Sequence, residues 1–197
     1  MIAGDAKSSS ALGFLTVVEH AQHGLFGGYL VLNTAGRPLE FHCTAPIKPN
    51  RAQEILYGPT LEAFLYGEQI GQALLQKARV EPSFVCTDRP PALAVREHVS
   101  LPVVLVLPDE HAATQQDGRV WRIDAAHAGA CNSGGPTLVA FELGQNHLAV
   151  PERSDDDRRL IAERVAAMPD ALAESFDLAE PFARIREAIE EAQQAVR

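Results

Sequence analysis

Several carboxylates in the first half of the chain could together hold divalent cations: Glu19, Glu54 or Glu62, and Asp88, with Asp109 a late fourth. Two ions held this way can activate a water molecule and stabilise a leaving oxygen. A second set is His20 and His23, with His42 or a cysteine as a further donor, which could supply part of a tetrahedral zinc shell. Its spacing lacks the glutamate and the i, i+4 helical pattern of zinc hydrolases, and paired histidines in a surface loop explain it equally well. A third is Cys131 in GACNSGG, where small neighbours permit access and His127 or His147 could lower the thiol pKa. Small-residue segments of this kind also serve simply as connections. GGP at 134–136 lacks the lysine and the spacing of a phosphate loop.

Two stretches, FHCTAP at 41–46 and FVCTDRP at 84–90, share Phe-x-Cys-Thr followed by proline. Both read as strand ends leading through a proline-containing loop into a helix. Cys43 and Cys86 then belong with the apolar set, because a free cysteine behaves as a small hydrophobe. The residues just beyond the cysteines form the candidate ligand-binding edge: Thr44, Thr87 and Asp88, flanked by His42. Ligands of α/β sheets bind at the carboxyl ends of strands, where helix N-termini offer unpaired N–H groups.

The elements that must position these residues can be read from pattern. GFLTVVEH (13–20), GYLVLN (28–33) and LEFHCT (39–44) are β-rich runs joined by glycine-containing turns, which predicts an antiparallel three-stranded meander. Asn50 with Gln53 forms a capping box for a helix that stops near Gly58. Thr60 caps a second helix with Leu61, Phe64, Leu65, Leu74 and Leu75 in its apolar stripe. Gly67 and Gly71 interrupt that stripe, so either another backbone approaches closely there or the helix breaks. PSFVCTD (82–88) is the fourth strand, Pro90 and Pro91 open a short helix, and LPVVLVLP (101–108) is a strand buried on both faces. RVWRID (119–124) and PTLVAFELG (136–144) complete the strands. Ser154 and Asp177 each precede a helix, the second with Phe182, Ile185, Ile189 and Ala192 in one narrow stripe.

These elements predict an α/β or α+β fold: a mixed sheet opened by the meander, with helices packed on it and a C-terminal helical pair. A mixed domain over residues 11–150 and a helical segment over 151–197, docked on it, fit the composition change near Pro151. The order of strands and helices matches the ribonuclease H-like arrangement, in which carboxylates from strand 1, the first helical region and the end of strand 4 hold metal ions. Glu19, Glu54 and Asp88 occupy roughly those places. Glu19 departs from the pattern, which puts an aspartate within the first strand rather than a glutamate at its end. The segment GGYLVLN through GRPLEFHCTAPIKPNRAQEILYGPTL to EQIGQALL, about residues 27–75, also resembles a group of uncharacterised bacterial, planctomycete-type proteins. That resemblance implies a bacterial origin and no activity.

A net charge of −9 with scattered Lys and Arg argues against a nucleic-acid groove, which needs clustered positive charge. Three widely spaced cysteines, no signal-peptide core and no apolar run long enough for a membrane span predict a cytoplasmic protein that engages no membrane. The leading functional expectation is a soluble, non-catalytic binding or regulatory protein for a protein partner or small ligand. It would work through the sheet edge or by self-association through the C-terminal helix. The alternative is a divalent-metal-dependent hydrolase or nuclease using Glu19, Glu54 and Asp88, the one reading that implies a metal cofactor.

Overall fold

An apolar run of seven buried residues opens strand β1 (Ala11–His20), so this strand must be covered on both faces. It is seen in a computed structural model that describes residues 11–108, 120–122, 137–168 and 176–194. β1 pairs along its whole length with antiparallel β2 (Gly24–Asn33), and β2 pairs with antiparallel β3 (Pro38–Cys43). The β2–β3 turn uses Gly36 at φ 71°, and the Asn33 side chain accepts hydrogen bonds from the N–H groups of Ala35 and Arg37. On the other side of β1 lie β4 (Val85–Thr87) and β5 (Val103–Val106), both parallel to it. Three antiparallel strands complete the sheet, β6 (Val120–Arg122), β7 (Thr137–Leu143) and β8 (Asn146–Pro151). Among the described residues the sheet has eight strands, in the order β3-β2-β1-β4-β5-β8-β7-β6.

β8 has no counterpart among the expected elements. Leu143 pairs with Asn146, so only Gly144 and Gln145 connect β7 to β8, with Gly144 at φ 60°. A two-residue connection with glycine in the left-handed region is a hairpin signal, and it marks NHLAVP as a strand.

Helices cover both faces. On one, α1 (Arg51–Tyr57) begins with the expected Asn50–Gln53 capping box and ends at Gly58, φ 48°. A 3-10 turn (Gly58–Thr60) leads to α2 (Leu61–Ala63), a π-helical stretch (Phe64–Gln72) and α3 (Ala73–Lys77). The helix does not break at its glycines. A Cβ on Gly67 would come within 2.8 Å of the Val95 nitrogen, and one on Gly71 within 2.9 Å of Val95 Cγ2. Both glycines admit the 3-10 helix Pro90–Glu97. Leu65, Tyr66, Ile70, Leu74, Leu93 and Val95 join Leu15, Val17 and Tyr29 in the core of this face.

The opposite face carries α4 (Asp156–Ala166) and α5 (Glu180–Gln194). Ile161, Phe182, Ile185 and Ile189 pack there with Leu12, Phe14, Phe26, Leu30 and Cys86. The stripe on α5 is therefore spent on its own sheet, which corrects the expectation of self-association through this helix. Ser154 lies in a 3-10 turn, Glu152–Ser154, and does not cap α4. Asp177 accepts a hydrogen bond from Ala179 N at 2.8 Å, a local turn ahead of α5. Of the two cysteines expected in the core, Cys86 is buried and Cys43 is exposed. Cys43 sits on the edge strand β3 with Phe41 (38% exposed) and Leu39 (44%), where pattern alone does not reveal that the helix layer stops one strand short.

Candidate functional site

The carboxyl end of β4 lies beside the middle of β1, with Leu15 opposite Thr87, so Thr16 and Asp88 come level on the face covered by α5. Thr16 is fully buried, and its hydroxyl donates to Asp88 Oδ1 at 2.6 Å. The guanidinium of Arg186, from α5, donates to Asp88 Oδ2. Asp88 keeps 16% of its side chain exposed and Arg186 38%, so the pair sits at the rim, open to solvent.

The approach of α5 depends on β2. Gly28 pairs with Thr16 across the β1–β2 ladder, and a Cβ there would lie 2.2 Å from Ile185 Cγ2 and 2.9 Å from Ile189 Cδ1. Because Gly28 has no side chain, α5 settles directly on the strand at the level of Thr16, and the residue after Ile185 reaches Asp88. Arg186 escapes a motif search, since its role arises only when α5 docks. The adjacent pair Gly27-Gly28 is the one sequence signal of that close approach.

Thr87 shapes the turn after β4. Its buried hydroxyl accepts from Arg89 N at 3.2 Å and fixes the exit from the strand into the 3-10 helix Pro90–Glu97. The Arg89 Nε is buried with no hydrogen-bond partner among the described residues.

Glu19 lies on the other face. It follows Val17 in the alternation of β1 and accepts a hydrogen bond from Tyr66 Oη at 2.7 Å. Burial first, and then this hydrogen bond to Glu19, hold the Tyr66 hydroxyl well above the usual tyrosine range. Glu54 is exposed on α1 and paired with Arg51 at 3.0 Å, and Glu62 is exposed as well. Glu19, Glu54 and Asp88 are thus held by three different local partners, and Glu19 and Asp88 are divided by the sheet. Among the described residues no three His, Cys, Asp or Glu side chains converge as a metal site would require. Asp109, His127 and Cys131 lie outside the described residues.

The ligand-binding quartet is also dispersed. His42 and Thr44 belong to β3 and its extension, three strand spacings from β4, or roughly 14 Å. Thr44 Oγ1 accepts from Gly27 N at 2.9 Å, and His42 Nε2 sits 2.6 Å from Glu40 Oε1. His20 and His23 meet in the β1–β2 turn with ring centroids 4.6 Å apart, and His20 Nδ1 accepts from the N–H groups of Gln22 and His23. A cleft of about 350 Å³ lined by Arg96, Glu97, Pro151, Arg153 and Ser154 lies at the opposite edge of the sheet. Its arginines are already paired, Arg96 with Asp157 at 2.7 Å and Arg153 with Glu97 at 2.5 Å, which leaves it a weaker candidate than the Asp88 rim.

The whole architecture matches human endonuclease V at a TM-score of 0.51, with 13% identity over 95% of this chain and 87% of that one. The chain has an endonuclease V-like, ribonuclease H-like fold. A further structure, endonuclease V of Ciona intestinalis in complex with a 23mer DNA, matches at a TM-score of 0.45, with 10% identity over 93% of this chain and 86% of that chain. No family model matches the sequence, and neither does any curated protein. The resemblance of residues 27–75 to a planctomycete-type group is therefore replaced by a likeness in fold that spans nearly the whole chain. Two further expectations are corrected by the same finding. The likeness counts against the non-catalytic reading and favours the hydrolase alternative. Net charge likewise gives way to this likeness in fold as a ground for setting nucleic acid aside. Among the described residues no helix is long and apolar enough to cross a membrane.

Proposed function

We propose that this protein acts on nucleic acid in the cytoplasm, as a phosphodiester hydrolase. The observation that carries the reading is the endonuclease V-like fold over 95% of the chain. The candidate centre is the rim where β4 ends beside β1, with Asp88 as its carboxylate and Thr16 and Arg186 as the groups that hold it. In ribonuclease H-like order a carboxylate is expected within strand 1. Thr16 occupies the place beside Asp88, and Glu19 faces the other way. The described residues do not fit a carboxylate-bound pair of divalent ions, so no step is assigned to metal here. Asp88 is the carboxylate this rim offers, and the Arg186 guanidinium matches the charge and geometry of a phosphate oxygen pair.

The reading is tested with end-labelled 23mer DNA and RNA, single- and double-stranded, with and without inosine, in Mg²⁺, in Mn²⁺ and in EDTA. Cleavage of at least one strand type is expected, lost in Asp88→Ala. Binding without cleavage would remove the hydrolase and leave nucleic acid as the ligand. Neither binding nor cleavage across the panel would end the proposal.

A further inference from the structure

The surroundings of Asp88 contain a positive charge of the chain's own. Each carboxylate oxygen has a protein donor, Thr16 Oγ1 at 2.6 Å on Oδ1 and Arg186 on Oδ2. The neighbouring strand places a neutral hydroxyl, Thr16, at the level of Asp88, and the acidic residue of β1, Glu19, is engaged by Tyr66 on the far face. Among the described residues a divalent ion arriving here would meet one carboxylate, already neutralised, and would stand beside a guanidinium of like sign. The pair is not an accidental surface contact. Arg186 follows Ile185, which is fully buried over Gly28, so its backbone is fixed by the packing of α5. Tethering of α5 by Arg184 to the carbonyl of Gly36, at 3.2 Å, holds the same stretch of helix from its other side.

We propose that Arg186 is the resident cation of this centre: its guanidinium takes the place against Asp88 that a divalent ion would otherwise occupy, so the rim engages phosphodiesters without a metal. The link to phosphodiesters rests on the function proposed above. The exclusion of metal stands on the geometry of Asp88 alone.

The test is Mn²⁺ binding by the full chain, monitored by calorimetry and by the electron paramagnetic resonance signal of free Mn²⁺, with no nucleic acid present. Wild type should show no saturable site that depends on Asp88. Arg186→Gln should gain one, at least tenfold tighter than any wild-type binding, and the double variant Arg186→Gln/Asp88→Asn should lose it. Arg186→Lys, which keeps the charge, should stay closed to the ion. Circular dichroism and thermal unfolding confirm that the variants fold. Should Arg186→Gln fail to fold, wild type against Asp88→Asn still decides, because an Mn²⁺ site lost on that substitution overturns the proposal. Absence of Mn²⁺ binding in folded Arg186→Gln overturns it equally, since the exclusion would then not be the work of Arg186. As no nucleic acid enters these measurements, a failed cleavage panel and a failed metal test are separate results.

Discussion

Glu40 accepts hydrogen bonds from the backbone N–H groups of Val80 and Arg79 and from the ring of His42. The Val80 N–H, then His42, hold its carboxyl down from 4.5 to about 2. A depressed carboxylate adds stability above its unfolded pKa and loses that stability as pH falls through the folded one. Between pH 4.5 and about 2 the urea midpoint of wild type should therefore decline, and Glu40→Gln should show a shallower decline over that window. An unchanged slope would mean that the N–H groups beyond α3 do not depend on this carboxylate. Sequence reaches this scale unevenly. Asp88 is legible as a strand-end carboxylate, because its neighbours FVC announce a buried strand. Arg186 is not legible, since on a helix rich in Glu and Arg nothing local separates it from Arg184.

The meander is readable because β1 to β3 alternate or run apolar between glycine-bearing turns, signals that lie within the strands themselves. β8 is hidden because NHLAVP is short and adjoins a change of composition that suggests a boundary. The exposure of Cys43 and Phe41 is hidden for another reason: whether a strand face is covered depends on where a distant helix stops. Paired glycines in β2 set that coverage. Gly27 would clash with Ile70 Cγ2 at 2.2 Å on one face, as Gly28 would with Ile185 on the other. Gly28→Ala should cost about 1–3 kcal/mol in chemical denaturation, the usual penalty of overpacking. Combining it with Ile185→Val should recover part of that loss. A Gly28→Ala protein as stable as wild type would show that α5 can slide without penalty.

Across the molecule, the two helical layers are joined by an ion pair that secondary-structure patterns do not encode. Arg96, ending the 3-10 helix Pro90–Glu97 on one face, donates to both oxygens of Asp157 in the first turn of α4 on the other, at 2.7 and 3.0 Å. By sequence Asp157 reads as one of three aspartates favouring a helix N-terminus, yet it is 1% exposed. Removing one partner of a buried pair strands the other, at a cost of about 3–5 kcal/mol. Asp157→Ala should fall near the lower end, because the stranded Arg96 side chain is 29% exposed and can recruit water. A loss under about 1 kcal/mol in equilibrium denaturation would class the pair with ordinary surface contacts.

The docking of α5 on β1 and β2 has a consequence for how the chain is made. Arg184 contacts Gly36 across 148 residues of sequence, so the first hairpin leaves the ribosome long before its cover exists. At about 5–20 residues per second, that interval is roughly 7–30 s. Throughout it Phe14, Phe26 and Leu30, all core residues of the finished protein, lack the cover of α5. Contacts this distant in sequence also slow folding, because the loop must close before they form. The nascent hairpin is thus the stretch where a chaperone would be needed most, and the arrival of α5 both seals it and brings Arg186 to Asp88.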